Sequence, residues 1–275
     1  MANVLNLRRQ SFLGTNSETV LCRSKAALVG LGGGGSHVAQ QLAHIGLGNF
    51  LVIDPDFIED TNLNRLVGAT LEDVRLGTAK VDIAERVIKS VNTAVEVIKR
   101  LASWSEVTAE LRDVDVIFAC VDSIGCRSEL ESFARRFLIP LIDIGVDVHE
   151  LNGEFSIGGQ VMLSMPDKPC MRCMGLVTDE ALAKEAARYG AAGGKPQVVW
   201  PNGTLASIAV GIFMKLVTPW ETHKPTSLLL EYDGDLQIVA PSNKLAYLLR
   251  YCRHFDSMNE LGDPFWASDA LAIVE

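Results

Sequence analysis

Gly30-Leu31-Gly32-Gly33-Gly34-Gly35 is the first run in this 275-residue chain with an evident chemical use. Glycines let a backbone turn tightly and approach a phosphate chain, whose charge then rests on the N-terminus of the following helix. Asp54 and Asp56 lie about 20 residues further on, the spacing at which an acid meets a ribose hydroxyl. Together these features indicate an adenine nucleotide and leave the reaction open, because a nicotinamide-dependent oxidoreductase shares them. Other charges narrow the chemistry. Asp60-Thr61-Asn62-Leu63-Asn64-Arg65 ends in a cation, Gly77-Thr78-Ala79-Lys80 brings a second, and Val121-Asp122-Ser123 sets a carboxylate after an apolar run, with Arg127 one turn on. A triphosphate uses such groups: Arg and Lys offset phosphate charge, and an Asp at a strand end holds magnesium. Singly, each has a plainer use. Arg65 or Lys80 suits a solvated surface, and Asp122 suits the cap of a helix starting near Ser123.

The elements that must position these residues follow from hydrophobic rhythm. Residues Ala26–Leu31, Asn49–Asp54, Ala94–Lys99, Val114–Ala119 and Leu141–Val148 read as strands. Between them, Ser36–Ile45, Ala79–Val91 and Ser123–Phe137 carry apolar residues at helical spacing. That alternation predicts an α/β fold, a Rossmann-like, mostly parallel sheet with helices on both faces. A mixed C-terminal part continues the same sheet: Gly153–Leu163 is a strand broken by Gly158 and Gly159, and Thr226–Tyr232 with Leu236–Val239 forms a hairpin around Asp233-Gly234-Asp235. A helix over Asp179–Tyr189 gives way to a loop through Gly190, Gly193 and Gly194. An apolar helix over Asn202–Val217 is expected to be capped by Asn202, with Trp200 and Trp220 at its ends packed and buried or, as the alternative, anchoring a partner. The expected organisation is an N-terminal arm (1–25), a nucleotide-binding domain (26–240) with a crossover loop at 174–200, and a C-terminal extension (241–275).

Lys and Arg number 25 against 34 Asp and Glu, a net charge of −9, and there is no basic patch, which argues against nucleic acid. No apolar run has the length to span a bilayer, and Met1 to Arg9 lacks the apolar stretch of a secretory signal, so the expected compartment is the cytoplasm. The six cysteines are too scattered for a disulfide framework. Cys22, Cys120 and Cys126 read as core or near-core thiols.

The whole set resembles the ThiF/MoeB family, bacterial relatives of ubiquitin-activating enzymes. The matching text is Gly30-x-Gly32-Gly33-x-Gly35, Ile53-Asp54-Pro55-Asp56, Asn62-Leu63-Asn64-Arg65, Gly77-x-x-Lys80 and Asp122, in the family's order and spacing over roughly residues 8–240. The resemblance implies an adenylyltransferase that uses ATP and magnesium to activate the C-terminal carboxylate of a ubiquitin-like protein with a Gly-Gly tail, for sulfur transfer or for bacterial ubiquitin-like conjugation. In those terms Asp54 binds ribose, Asn62, Arg65 and Lys80 contact the phosphates, and Asp122 holds magnesium. Arg9-Gln10 is similar to the family's N-terminal Arg-Gln, whose arginine crosses a homodimer interface into the partner's ATP site. The tail is expected to pass beside Gly145–Gly159.

Two other readings stand beside this one. A nicotinamide-dependent oxidoreductase explains the glycines and Asp54 but gives Arg65, Lys80 and Asp122 no task. An inactive scaffold for a ubiquitin-like partner would be expected to have lost one of those three. The pair Cys170-x-x-Cys173 is also open. With Cys252 and His254 it makes a zinc ligand set, though Cys-x-His is an unusual spacing. The alternatives are reduced thiols without metal, or a thioester on Cys170 or Cys173 with His149 or His223 as the activating base.

Overall fold

The computed structural model describes residues 5–166, 168–187, 196–220, 225, 228–248, 252, 254 and 255. In chain order the elements are α1 (Ser17–Arg23), β1 (Lys25–Val29), α2 (Gly33–Ile45), β2 (Asn49–Ile53), α3 (Leu71–Leu76), α4 (Lys80–Val91), β3 (Glu96–Arg100) and α5 (Thr108–Leu111). They continue as β4 (Val116–Ala119), α6 (Ile124–Arg136), β5 (Leu141–Leu151), β6 (Glu154–Ser164), α7 (Asp179–Ala187), α8 (Val199–Val217), β7 (Leu228–Asp233) and β8 (Ile238–Pro241). The strands form one sheet in the order β3-β2-β1-β4-β5-β6-β7-β8. The first five positions are parallel and the last three antiparallel.

Ala26–Val29, Phe50–Ile53 and Val116–Ala119 are buried residue after residue, as parallel strands covered on both faces must be. One face carries α2, α4 and α8, through Val38, Leu42, Ile88, Leu205 and Phe213. The other carries α5 and α6, through Leu111, Leu130 and Ala134. Leu13 and Leu21, from the N-terminal segment, are buried in the first of these layers.

The expected mixed C-terminal part of the sheet is present, with three differences of detail. The hairpin of β5 and β6 is longer than the apolar run predicts and turns on Asn152-Gly153, with φ of +56° and +85°. Two consecutive left-handed residues match the right-handed twist of the strands, and Asn-Gly supplies them at least cost. Gly158 and Gly159 do not break β6. A Cβ at Gly159 would stand 2.7 Å from the Gly145 carbonyl and 2.6 Å from Leu205 of α8, so glycine lets that helix lie close on the sheet. β8 starts two residues later than expected because Asp233 Oδ1 accepts the Asp235 and Leu236 amides and lengthens the turn.

Helix α8 corrects two expectations. It starts at Val199, after Val198 as cap, so Asn202 is not the cap. Pro201 falls in the first turn, where no intrahelical partner awaits its missing N–H, so the helix starts before it. Trp200 and Trp220 are 50% and 45% exposed rather than buried. The buried stripe of α8 is supplied by Leu205, Ala209 and Phe213, while Trp220 lies edge-on to Phe12 and beneath Lys215 at the surface. The predicted glycine loop at 190–194, His223, the hairpin start at Thr226 and most of 241–275 lie outside the described residues.

Asp73 ties α3 to α4. It caps α3 reciprocally with Thr70 and takes two hydrogen bonds from Arg86, at 2.6 and 2.7 Å. These bonds hold its carboxyl far below the usual carboxylate range, the Arg86 pairing being the main cause. A carboxylate held ionised in the folded state stabilises above its unfolded pKa of about 3.9 and loses that contribution as pH falls. Asp73→Asn is therefore expected to flatten the acid limb of stability against pH below about pH 4, read from urea midpoints. An unchanged limb would mean that the pair contributes nothing to acid stability.

Candidate active site

The C-terminal ends of β1, β2 and β4 open into a cavity of about 360 Å³, where ligands bind in an open α/β sheet. Its wall joins residues far apart in sequence: Gly32, Asp54, Asn62, Arg65, Lys80 and Asp122. The glycine run divides by role. Gly30, Gly32, Gly33 and Gly34 line the cavity. Gly35 does not; a Cβ there would overlap the Gly30 carbonyl, so this glycine lets α2 start tightly against β1. Gly32 has nothing within 4 Å of a would-be Cβ, which leaves its backbone open to a ligand.

Asp54 is 4% exposed at the end of β2. Its Oδ2 accepts the Leu31 amide at 2.6 Å and its Oδ1 the Asp56 amide at 2.9 Å. Burial pushes its carboxyl up, against the pull of Lys80 and these amides. Lys80, at the start of α4, reaches back to Asp56 at 2.7 Å and to Asp54 at 3.9 Å. Asn62 is buried, and its Oδ1 accepts the Glu59 amide at 3.2 Å. Arg65 donates to the Thr61 carbonyl at 2.6 Å and to Asn64 Oδ1 at 3.0 Å, which fixes its guanidinium at the cavity wall.

Asp122 follows β4 and is exposed. It does not cap α6. Ser123 does, accepting the Cys126 amide. The next free amides of α6, Ile124 and Gly125, are taken by Glu185 of α7 at 2.9 and 2.8 Å, a carboxylate at a helix N-terminus. Gln197 donates to Asp122 Oδ1 at 3.2 Å, and its carbonyl accepts from Asn64 at 3.0 Å. The chain entering α8 thus spans the cavity mouth. Arg9 sits on a short 3-10 helix, exposed and away from this cavity.

Several wall residues carry no sequence signature. Asn202 packs on Gly33, where a Cβ would stand 2.6 Å from its Nδ2. Ser103 and Trp104, after β3, and Cys120 and Cys126 also line the cavity. Burial pushes both thiols up, so neither is a ready nucleophile.

Cys170, Cys173, Cys252 and His254 form a separate cluster, their ligand atoms all within 4.8 Å of one another. The Cys170–Cys173 and Cys173–Cys252 sulfurs are 3.6 and 3.8 Å apart, and His254 Nδ1 is 3.5 and 3.4 Å from Cys170 and Cys173. A tetrahedron with metal–sulfur bonds of about 2.3 Å has sulfur–sulfur edges of about 3.8 Å. His149 pairs instead with Asp147 at 3.5 Å, 67% exposed on β5.

A glycine loop before a helix, a buried acid after the next strand and the cations Arg65 and Lys80 on the wall of one cavity define a Rossmann-like nucleotide-binding protein. The chain matches the ThiF family over residues 5–246 and belongs to it, and with it to the adenylyltransferases. It is 29% identical over 225 residues to the SAMP-activating enzyme E1 of Haloferax volcanii, covering 81% of this chain and 77% of that protein. It is 27% identical over 221 residues to the sulfur carrier protein ThiS adenylyltransferase of Escherichia coli, covering 78% and 79%. The solved structure of MccB from E. coli superposes with a TM-score of 0.71 at 20% identity, over 87% of this chain and 72% of that one. MccB is also known with ATP, and with AMPCPP and MccA. No described helix is long and apolar enough to cross a membrane.

Proposed function

We propose that this enzyme binds ATP in the 360 Å³ cavity and adenylates the C-terminal carboxylate of a small carrier protein or peptide tail. The observation that carries this reading is the convergence of Arg65, Lys80 and Asp122 on one cavity floored by the glycine loop. A tail carboxylate oxygen attacks the α-phosphorus, an acyl–phosphate bond forms, and the bond to the β-phosphate oxygen breaks to release pyrophosphate. Little covalent work falls to the protein, which aligns the groups and offsets charge. Lys80 exchanges its bond to Asp56 for phosphate, Arg65 meets the outer phosphates, and Asn62 closes the same wall.

Asp122 suits magnesium, since only Gln197 occupies its carboxylate among the described residues, and this ion takes one or two carboxylates and keeps several waters. Magnesium would neutralise charge on the phosphates as they separate. The resemblance sends Arg9 to a partner's site. In this chain it lies outside the cavity, so that role requires a homodimer.

The cysteine cluster reads as a structural metal site. Three thiolates and an imidazole are a soft donor set that favours zinc, and the spacings match a closed tetrahedron. That leaves no cysteine near the cavity suited to a thioester, and residues 174–200 contain none. The adenylate would then pass to an external acceptor. ATP–pyrophosphate exchange with purified protein tests the reading. Exchange that requires both a free C-terminal tail and magnesium is the expected result, and tail-independent or absent exchange with every tail would count against it. A tail ending in Gly-Gly is the form that the resemblance implies.

A further inference from the structure

Cys170 and Cys173 lie in the turn between β6 and α7, outside any helix or strand. Their partners Cys252 and His254 come from a segment about 80 residues away. A buried polar cluster, formed where α6 meets the end of β6, reaches both halves. Its members are Glu131, Arg135 and Ser164. Glu131 Oε1 accepts from Ser164 Oγ at 2.5 Å, and its two carboxylate oxygens accept the Met171 amide at 3.0 and 3.1 Å, between the two cysteine ligands. Arg135 Nε donates to Ser164 Oγ at 3.1 Å and stands 3.4 Å from Glu131 Oε1. Its Nη2 donates to the Lys168 and Pro169 carbonyls at 2.8 and 3.0 Å, the two residues before Cys170. The same guanidinium lies 5.0 Å from the centre of the Phe255 ring, and Phe255 follows His254.

A buried ion pair adds little to stability over well-packed apolar residues of similar volume, so stability alone does not account for this one. Its hydrogen bonds are more telling. They fall on residues 168, 169 and 171, on either side of Cys170. A guanidinium is planar: its edge donates hydrogen bonds in a fixed fork while its face lies against an aromatic ring. Arg135 spends its edge on the turn that carries the first two ligands. Its guanidinium also meets the ring beside the last ligand.

The geometry points to Arg135, seated by Glu131, as the positioning residue of the metal centre: it brings the Cys170–Cys173 turn and the Cys252–His254 segment to one ion. This rests on the reading of the cluster as a structural metal site. Arg135 acts through the backbone and through Phe255. Ligands that are already placed lose less freedom when the ion binds, so groups that orient them add to metal affinity.

Zinc affinity of the full chain, measured by competition with a chromophoric chelator, tests this role beside melting temperatures taken with zinc and in excess chelator. Arg135→Met combined with Glu131→Gln removes the guanidinium without leaving a buried charge unpaired. This double variant is expected to bind zinc about 10–100-fold more weakly than the wild type, and zinc should raise its melting temperature less. In excess chelator it should melt close to the wild-type value. Arg135→Lys keeps the charge and should lose affinity in the same range, because lysine lacks the fork and the flat face. Phe255→Ala, at a half-buried ring, should weaken zinc about 2–5-fold, and it decides the matter if the double variant fails to fold. Wild-type affinity in Arg135→Lys would overturn the role of the guanidinium. A double variant that melts lower by the same amount with and without zinc, at unchanged affinity, would make the pair a support of the fold and overturn the positioning role alone. Wild-type protein that binds no zinc would overturn the metal site and this role with it.

Discussion

Asp122→Ala should lower tail-dependent pyrophosphate exchange by roughly 10²–10³-fold while leaving the melting temperature unchanged. The two halves of that expectation have separate causes. Asp122 is exposed and among the described residues its carboxylate takes a hydrogen bond from the Gln197 amide alone, so its removal costs the fold little. It lies after β4 on the wall of the cavity proposed for ATP, where a lost carboxylate would weaken the hold on magnesium as charge develops between the α- and β-phosphates. Raising magnesium should recover part of the rate, because the site is weakened while phosphate oxygens and water still bind the ion. Exchange at the wild-type rate, with the wild-type magnesium dependence, would place the ion elsewhere. A drop in melting temperature alongside the rate would mean that Asp122 supports the fold and that the rate loss is indirect.

Cys170→Ser should fall in stability rather than in chemistry. Cys170 is fully buried, and its Sγ lies within 4.8 Å of the ligand atoms of Cys173, Cys252 and His254, the set proposed to hold a metal. A closed metal site contributes its binding energy to folding, so losing one ligand should release the ion and lower the melting temperature on the order of 10 °C. Metal analysis should find one zinc per wild-type chain and close to none in the variant. A strong chelator should reproduce the shift with the wild-type protein. Wild-type protein that carries no metal and melts unchanged in chelator would return these residues to plain reduced thiols. A tail-dependent adduct on Cys170 or Cys173, stable in acid and released by thiols, would restore the thioester instead.

The two sites differ in how much of them the sequence shows. The nucleotide cavity is legible because a β-α rhythm fixes where strand ends fall, and Gly32, Asp54 and Asp122 sit just past such ends, while Lys80 opens α4 after a glycine-containing turn. Asp143, which holds Arg127 of the cavity wall, is invisible by that route. It lies within the apolar run Leu141–Val148, and only the pairing of β4 with β5 and the reach of Arg127 from α6 give it meaning. Asn202 reads as a cap because it precedes an apolar stretch, whereas tertiary packing against Gly33 sets its place. The hairpin turn Asn152-Gly153 carries a strong local signal, yet the apolar run fades at Val148, before the strand ends. For the cysteines, composition gives the ligand set, but 79 residues separate Cys173 from Cys252, and no spacing rule spans that distance.

The Asp54 carboxylate holds the Leu31 amide and thereby the glycine loop in shape, through a bond made within the protein. The loop's conformational entropy is thus spent during folding and need not be spent again when ATP arrives. Association should proceed without a slow closing phase at the loop, as a single exponential whose rate rises linearly with ATP concentration. In the free protein the Leu31 amide should exchange with deuterium as slowly as the neighbouring amides of β1, because opening that one bond means loosening the end of the sheet.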